Sequence, residues 1–435
     1  MLSKIARFID ETHLLDSRNS YLVALSGGAD SVCLLLSLLR LGYKVDAVHC
    51  NFQLRGIESS RDEKFVIGLC EEKGVKLHLI HFDTTAYAQL HHVSIEMAAR
   101  QLRYSYFERL REDIGAADIC VAHHQDDSVE TLFLNLLRGT GLRGLTGIHP
   151  RQGHIVRPLL GVSRSEILEW LKHEQQPFVT DSSNLESEYQ RNFLRNNILA
   201  VLKERMPHVD EQVLTTARRV SEALKVYDSA MDEALGRLVI DDSIDISALN
   251  AEPSSESILF EWLTPKGFSP ATIEQVARSA CHAGQSWTSA TQILFVHQDR
   301  LVVRPLSSVR PTLCVSETGT YRYDETTVFR FSLPAEWTLS RQADCVTLDL
   351  RRLKFPLVVR PIAEGDRFRP LGMKGSKLVS DYLTDRHVSV YDKRRQLVVT
   401  DAEGRIIWLV GHRPDENYRI GPDTAKVLAI SVSTV

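Results

Sequence analysis

Six residues, Ser26-Gly27-Gly28-Ala29-Asp30-Ser31, separate two apolar runs, residues 21–25 before them and residues 32–39 after. A short run of strand length, a glycine turn and a run of helical length predict strand, loop and helix N-terminus in that order. Such a junction aims backbone N–H groups and the positive end of a helix dipole at one point, a site for an anion and usually for a phosphate. It is not a Walker A loop, because no lysine follows the glycines, and the GxGxxG spacing of dinucleotide folds is absent. What it offers is two hydroxyls and a carboxylate. Amides and hydroxyls can hold phosphate oxygens, and Asp30 can hold a magnesium ion.

The surrounding sequence repeats the alternation. Strand-like runs occur at residues 21–25, 45–49, 77–82 and 119–122, with helical stretches at 31–39, 61–72, 95–111 and 129–137. Ser60 with Glu63, and Ser163 with Glu166, have the spacing of capping boxes and mark expected helix starts. Strands separated by helices predict an α/β fold with a doubly wound parallel sheet, whose ligands bind at the carboxyl ends of the strands. The Ser26 loop and the stretch beginning at His123 both follow strands, so both belong on that rim. Further on, a helix over 190–204 stops at Pro207, a helical connection covers 213–235, and 250–257 reads as a loop. Residues 259–303 read as a small mixed helix and strand unit. From about Cys345 alternating strands appear at 346–350, 357–361, 397–400 and 406–411. Three domains are expected: 1–208 with the phosphate loop, a mixed α/β or helical connecting domain at 209–340, and a small, mainly β domain at 341–435.

Composition narrows the setting. A 435-residue chain with 43% hydrophobic and 25% charged residues is that of a globular protein with sizeable cores. Its apolar runs are too short to span a bilayer, and no signal-peptide core separates the first residues from Asp10 and Glu11, so no membrane partner is expected. Seven cysteines without a CxxC pair argue against a disulfide framework and a zinc ribbon, and fit a reducing cytoplasm. A net charge of −4 excludes a globally basic nucleic-acid binder, but two local basic stripes remain. One contains Arg191, Arg195, Lys203 and Arg205, the other Lys374, Lys377, Arg386 and residues 393–395. The isolated histidines His78, His81, His91 and His92 read as surface or packing residues.

A second constellation, His123-His124-Gln125-Asp126-Asp127-Ser128-Val129-Glu130-Thr131, opens the helix after the fourth strand. At spacings of three and four, Asp126, Asp127 and Glu130 can share one helix face. Favourable interaction with the helix dipole is a weaker alternative account of them, and a dinuclear metal site is another, though magnesium accompanying a nucleotide is more economical. Glu96 and Arg100 can form an ordinary surface pair, whereas Arg103 has no partner in sequence. Three more stretches stand out: Arg138-Gly139-Thr140-Gly141-Leu142-Arg143-Gly144-Leu145, Asp181-Ser182-Ser183-Asn184, and Arg191-Asn192-Phe193-Leu194-Arg195.

The hexapeptide resembles the SGGxDS signature of PP-loop ATP pyrophosphatases, matched at every fixed position. Together, in this order and spacing, the five stretches resemble the tRNA(Ile)-lysidine synthase family, densely over the first two hundred residues and again at residues 365–377. Two departures are visible. Phe52 stands where members often have histidine, and His387-Val388-Ser389 replaces a lysine-aliphatic-proline turn.

The resemblance implies a reaction in two steps. ATP adenylates the C2 oxygen of the wobble cytidine in a minor isoleucine tRNA with a CAU anticodon, and the ε-amine of free L-lysine then displaces AMP. It assigns ATP to Ser26, Gly27, Gly28, Asp30 and Ser31, with Mg²⁺ on Asp30. It assigns lysine to Arg103, Asp127, Glu130 and Asn184, and catalysis to Asp30, Arg103, His123, Asp127 and Arg195. Arg138, Arg143, Arg191, Arg195, Lys374 and Lys377 are expected to hold tRNA, and a homodimer is left open. The rival readings are a PP-loop tRNA thiolase, against which the missing CxxC counts, a small-molecule PP-loop ligase, and a non-catalytic RNA- or nucleotide-binding module.

Overall fold

The structure, a computed structural model, describes residues 1–54, 56–180, 190–279, 281–306, 310–337 and 342–434. They form two compact units, Met1–Tyr227 and Asp228–Val435, divided within one long helix.

The first unit begins with α1 (Leu2–Glu11) and then alternates: β1 (Ser20–Ala24), α2 (Ala29–Arg40), β2 (Lys44–Asn51), α3 (Ile57–Lys73), β3 (Leu77–His81). Two consecutive helices follow, α4 (Thr84–His91) and α5 (Ile95–Ile114), then β4 (Asp118–Cys120) and α6 (Gln125–Leu137). A short hairpin of β5 (Arg151–Gln152) and β6 (Ile155–Val156) leads to α7 (Arg164–His173). The sheet order is β3-β2-β1-β4-β6-β5, parallel throughout except for β5 at the edge. Strand β1 shows why both faces are covered. Tyr21 and Val23 point into one core with the apolar face of α2, Ile5 and Ile9 of α1, and Ile167 and Leu171 of α7. Leu22 points the other way, into a second core with Phe107 and Leu110 of α5. Alternate residues buried on opposite sides define a doubly wound sheet.

The capping box at Ser163 and Glu166 holds: Ser163 Oγ accepts from the Glu166 N–H, and Glu166 Oε2 accepts from the Ser163 N–H at 2.9 Å. The one expected at Ser60 does not, because α3 already begins at Ile57 after Gly56, which has φ +49°, and Ser60 lies inside it. Beyond the undescribed residues 181–189, α8 (Gln190–Phe193), a wider π-helical turn (Leu194–Leu199) and α9 (Ala200–Arg205) make one continuous helical stretch. The 30-residue α10 (Val209–Leu238) follows.

In the second unit β7 (Ser243–Asp245), α11 (Ile246–Asn250), α12 (Ser255–Leu263), α13 (Pro270–Arg278), β8 (Ser286–Thr288), β9 (Gln292–His297) and β10 (Arg300–Pro305) form a helix-backed sheet of order β7-β10-β9-β8. The loop expected at 250–257 therefore shrinks to the few residues between α11 and α12. The remaining strands make two antiparallel sheets. One joins β11 (Leu313–Val315), β15 (Leu357–Pro361), β18 (Leu397–Thr400) and β19 (Ile406–Leu409); the other joins β12 (Gly319–Arg322), β13 (Thr327–Ser332), β20 (Val427–Thr434) and β14 (Cys345–Asp349). Both feed one core that includes Phe329, Phe331, Leu357 and Trp408. A small ribbon of β16 (Arg367–Phe368) and β17 (Lys377–Leu378), with α14 (Val379–Thr384) and α15 (Val390–Arg395), completes the unit. The boundary expected at 341 is corrected: β11 pairs with β15 and β13 with β20, so the β layers begin near Leu313.

Candidate active site

The Ser26 loop is held open by its own side chains. Ser26 Oγ lies 3.0 Å from Ser31 Oγ, the Gly28 N–H donates to Ser26 Oγ at 3.3 Å, and Ser31 Oγ donates to the Gly28 carbonyl at 3.0 Å. Gly27 has φ +92°, and a Cβ there would meet Val66 Cγ2 at 3.3 Å and Phe65 Cδ1 at 3.4 Å, so both backbone and space demand glycine. Gly28 caps α2 without a side-chain hydrogen bond to the first turn. The first N–H groups of α2 are thus available to an anion.

Beside the loop lies a cavity of about 530 Å³ lined by Ser26, Gly28, Asp30 and Ser31, by Asn51 and Phe52 at the end of β2, by Arg100, Arg103 and Tyr104 of α5, and by His123 and Arg191. Arg103 stands over the Phe52 ring at 5.1 Å, and that ring stacks on Phe82 at 5.7 Å. This is what the phenylalanine at the histidine position does: its π face holds an arginine in the cavity wall. Arg100 lies over the Tyr104 ring at 5.0 Å rather than pairing with Glu96.

At the start of α6 the three acidic residues divide. The Asp127 carboxylate accepts from the His124 N–H at 3.0 Å and from Arg191 Nη2 at 3.1 Å. Glu130, its side chain only 1% exposed, accepts from Arg191 Nε at 2.7 Å and from Arg195 Nε and Nη2 at 2.5 and 3.0 Å. Asp126 turns away, to Lys203 Nζ at 2.8 Å and the Arg164 N–H at 2.9 Å, so the single acidic face expected from the spacing is not formed. Burial pushes the Asp126 carboxyl up, but the nearby His124 and hydrogen bonds from the Arg164 amide and Lys203 outweigh it and hold the group far below the usual carboxylate range. Arg195 sits in the π-turn, a rare geometry that often marks functional positions.

The two histidines have opposite fates. Burial, with the positive charges of Arg157 and Arg191, pulls His123 down to about 4 against the opposing influence of Asp127, and Arg157 Nε points at its Nδ1 at 3.3 Å. His124 is more enclosed, yet Asp126, Asp127 and Asp30, at 3.5, 3.5 and 3.8 Å, overcome the burial and raise its pKa. His124, Arg157 and Arg164 were not singled out by sequence reasoning as site residues. The signals were present in the paired histidines and in an arginine placed directly after a helix cap.

Asp30 meets Arg164 Nη1 at 2.7 Å through Oδ2, while its buried Oδ1 has no hydrogen-bond partner among the described residues. Among the described residues no group of three or more His, Cys, Asp or Glu side chains is arranged for a metal ion. One carboxylate with a spare oxygen nevertheless fits magnesium, which keeps several waters and is usually shared between one or two carboxylates and the substrate phosphates. The geometry suits an ion carried by a nucleotide rather than a dinuclear centre.

The residues expected to touch RNA also divide. Arg138 and Arg143 are exposed around the glycine loop, which Asn135 Nδ2 pins through the Gly144 carbonyl at 2.8 Å. Arg191 and Arg195 instead direct their guanidinium groups inward to Asp127 and Glu130, which corrects their reading as a basic RNA-facing stripe. In the second unit Lys374 is exposed and Lys377 pairs with Asp385. Asn184 lies outside the described residues.

Comparison with known proteins agrees with this geometry. Residues 1–202 match the PP-loop domain family, and residues 241–306 match the TilS substrate binding domain. A tRNA(Ile)-lysidine synthase of Bacteroides thetaiotaomicron is 43% identical over 429 residues, covering 99% of each chain. The tRNA(Ile)-lysidine synthases of Parabacteroides distasonis and Porphyromonas gingivalis strain W83 are 40% and 38% identical, covering 99% and 94% of each chain. With the anion loop, the arginine-lined cavity and end-to-end similarity in agreement, the chain belongs to the tRNA(Ile)-lysidine synthase family.

Proposed function

We infer that this chain joins free lysine to C2 of the wobble cytidine of a CAU-anticodon isoleucine tRNA, using ATP and releasing pyrophosphate and AMP. The observation that carries the reading is the cavity itself, with an anion-binding loop on one wall and arginines on the other. Its volume of about 530 Å³ suits a nucleotide laid against a flipped-out base of an anticodon loop, the unstacked target that RNA-reading proteins favour.

In the first step the cytosine C2 oxygen attacks the α-phosphate of ATP and pyrophosphate leaves. The loop amides and the hydroxyls of Ser26 and Ser31 hold the phosphates. Phosphoryl transfer depends mainly on such positioning and charge stabilisation. A magnesium ion bound with ATP would supply further charge neutralisation, with Asp30 as its protein ligand. His123, largely neutral at pH 7 because of its burial, is a hydrogen-bonding rather than a charged group beside the reacting centre.

In the second step the neutral ε-amine of lysine attacks C2, AMP leaves with the former C2 oxygen, and the surplus amine proton is lost to solvent or a base. Asp127 receives the α-ammonium. Arg191, which lines the cavity, and Arg103 clamp the α-carboxylate, a charge-assisted geometry suited to guanidinium. Glu130, buried beneath two guanidinium groups, positions those arginines instead of meeting lysine directly. Arg138, Arg143 and Lys374, all exposed, are the basic residues offered to tRNA phosphates. Among the described residues no helix is long and apolar enough to cross a membrane, the cysteines are free, and the cytoplasm is the proposed place of work.

The test incubates purified protein with ATP, Mg²⁺, radiolabelled lysine and either the isoleucine transcript or initiator methionine tRNA. Label is expected in the isoleucine transcript alone, with AMP in equal amount. AMP formed only with a sulfur donor in place of lysine would move the chain to the thiolases.

A further inference from the structure

Arg164 is the first residue of α7, directly after the cap Ser163, where the positive end of the helix dipole disfavours a cation. Its placement is nevertheless fixed twice. The backbone N–H is held by Asp126 Oδ2 at 2.9 Å, and the guanidinium meets Asp30 Oδ2 at 2.7 Å. Asp30 lies in the first turn of α2, so the ion pair ties the first turn of α2 to the first turn of α7. The pair is half open, with side-chain exposures of 37% for Arg164 and 27% for Asp30, while Asp30 Oδ1 is buried and has no hydrogen-bond partner among the described residues. The α2 N-terminus and a guanidinium make an electropositive end to the phosphate loop. A lone acid there would repel an incoming triphosphate, and the arginine cancels that charge.

We propose that Arg164 is a pyrophosphate-binding residue: it neutralises Asp30 while the loop is empty and transfers its guanidinium to the β- and γ-phosphate oxygens when ATP arrives. The planar fork that meets a carboxylate also matches two phosphate oxygens, so the exchange substitutes one charge-assisted contact for another. During adenylation those oxygens belong to the leaving group, and the guanidinium offsets the charge that builds on it. This assignment rests on the ATP reading of the cavity.

The test measures affinity for ATP, inorganic pyrophosphate and AMP on the wild-type chain, Arg164→Ala and Arg164→Lys, each with a thermal melt. Arg164→Ala is expected to lose about ten- to a hundredfold of the ATP and pyrophosphate affinities, the range for a charged hydrogen bond, while AMP affinity stays unchanged. Arg164→Lys, which keeps the charge without the fork, recovers part of the loss. Arg164→Ala in an Asp30→Asn background separates phosphate contact from charge cancellation: the selective loss of ATP and pyrophosphate affinity persists there if the guanidinium meets the phosphates, and its disappearance, or a loss shared equally by all three ligands, overturns the assignment. A wild-type chain that binds none of the three would overturn the ATP reading and the assignment with it, a failure distinct from one seen only in the variants.

Discussion

Replacing Glu130 by glutamine should unsettle the site more than any other single change of one functional group. The carboxylate is 1% exposed and accepts three charge-assisted hydrogen bonds within 3.0 Å, from Arg191 and Arg195. Removing one partner from a buried ion pair costs about 3–5 kcal/mol, because the remaining charge stays desolvated. Here the arginine side chains retain 39% and 30% exposure, and water can return to them, so the lower end, about 3 kcal/mol, applies. In a unit of this size that corresponds to a fall in Tm of about 6–12 °C. The assay is a thermal melt of Glu130→Gln, Arg195→Gln and the double variant at neutral pH, with lysine KM measured for each. A coupling energy of at least about 1 kcal/mol between the two sites is expected, with lysine KM raised in both single variants. Additive melts and an unchanged lysine KM would refute the claim that Glu130 positions the arginines.

Three further outcomes follow from the same geometry. His123 has its pKa lowered to about 4 in the folded chain, so the unfolded chain binds more protons between pH 6.5 and 4. Stability should fall by up to about 3 kcal/mol as pH drops through that window and level off below it, and Tm of wild type minus His123→Gln across the range should lose this slope if the assignment is wrong. Gly27→Ala must place a side chain at φ +92° against Val66, so a loss of about 1–3 kcal/mol in stability is expected together with weakened ATP binding; an alanine variant that melts and binds like wild type would show the loop to be unstrained. Lys374→Ala should lower the slope of log affinity for tRNA against log salt by about one unit, and an unchanged slope would remove this lysine from the RNA contact.

The parts of the structure legible in sequence were those with local causes. The glycine turn, the strand periodicity of β1 and the cap at Ser163 are each set by neighbours a few residues away, and each is found where expected. Ser60 misled because its spacing to Glu63 is also ordinary inside a helix, and the start of α3 is set by Gly56. Strands β11 and β13 were not read because they find partners far along the chain, β11 in β15 and β13 in β20 about a hundred residues later, and the four-residue β12 pairs only with β13. The site divides in the same way. That Asp127 and Glu130 lie near each other is a matter of helical spacing, but that two arginines some sixty residues on turn inward to them is tertiary, and spacing alone suggested an RNA-facing stripe. Arg164 was missed for the same reason, since its partner Asp30 lies 134 residues away.

The central claim is that one cavity carries both steps, adenylation first and lysine attack second. The direct measurement mixes the protein with ATP labelled at the α-phosphate and the isoleucine transcript, without lysine, and then adds lysine. Label bound to the tRNA before lysine and released as AMP after it is the predicted result. AMP released without any tRNA-bound label, or label on the tRNA that lysine does not discharge, would contradict the account.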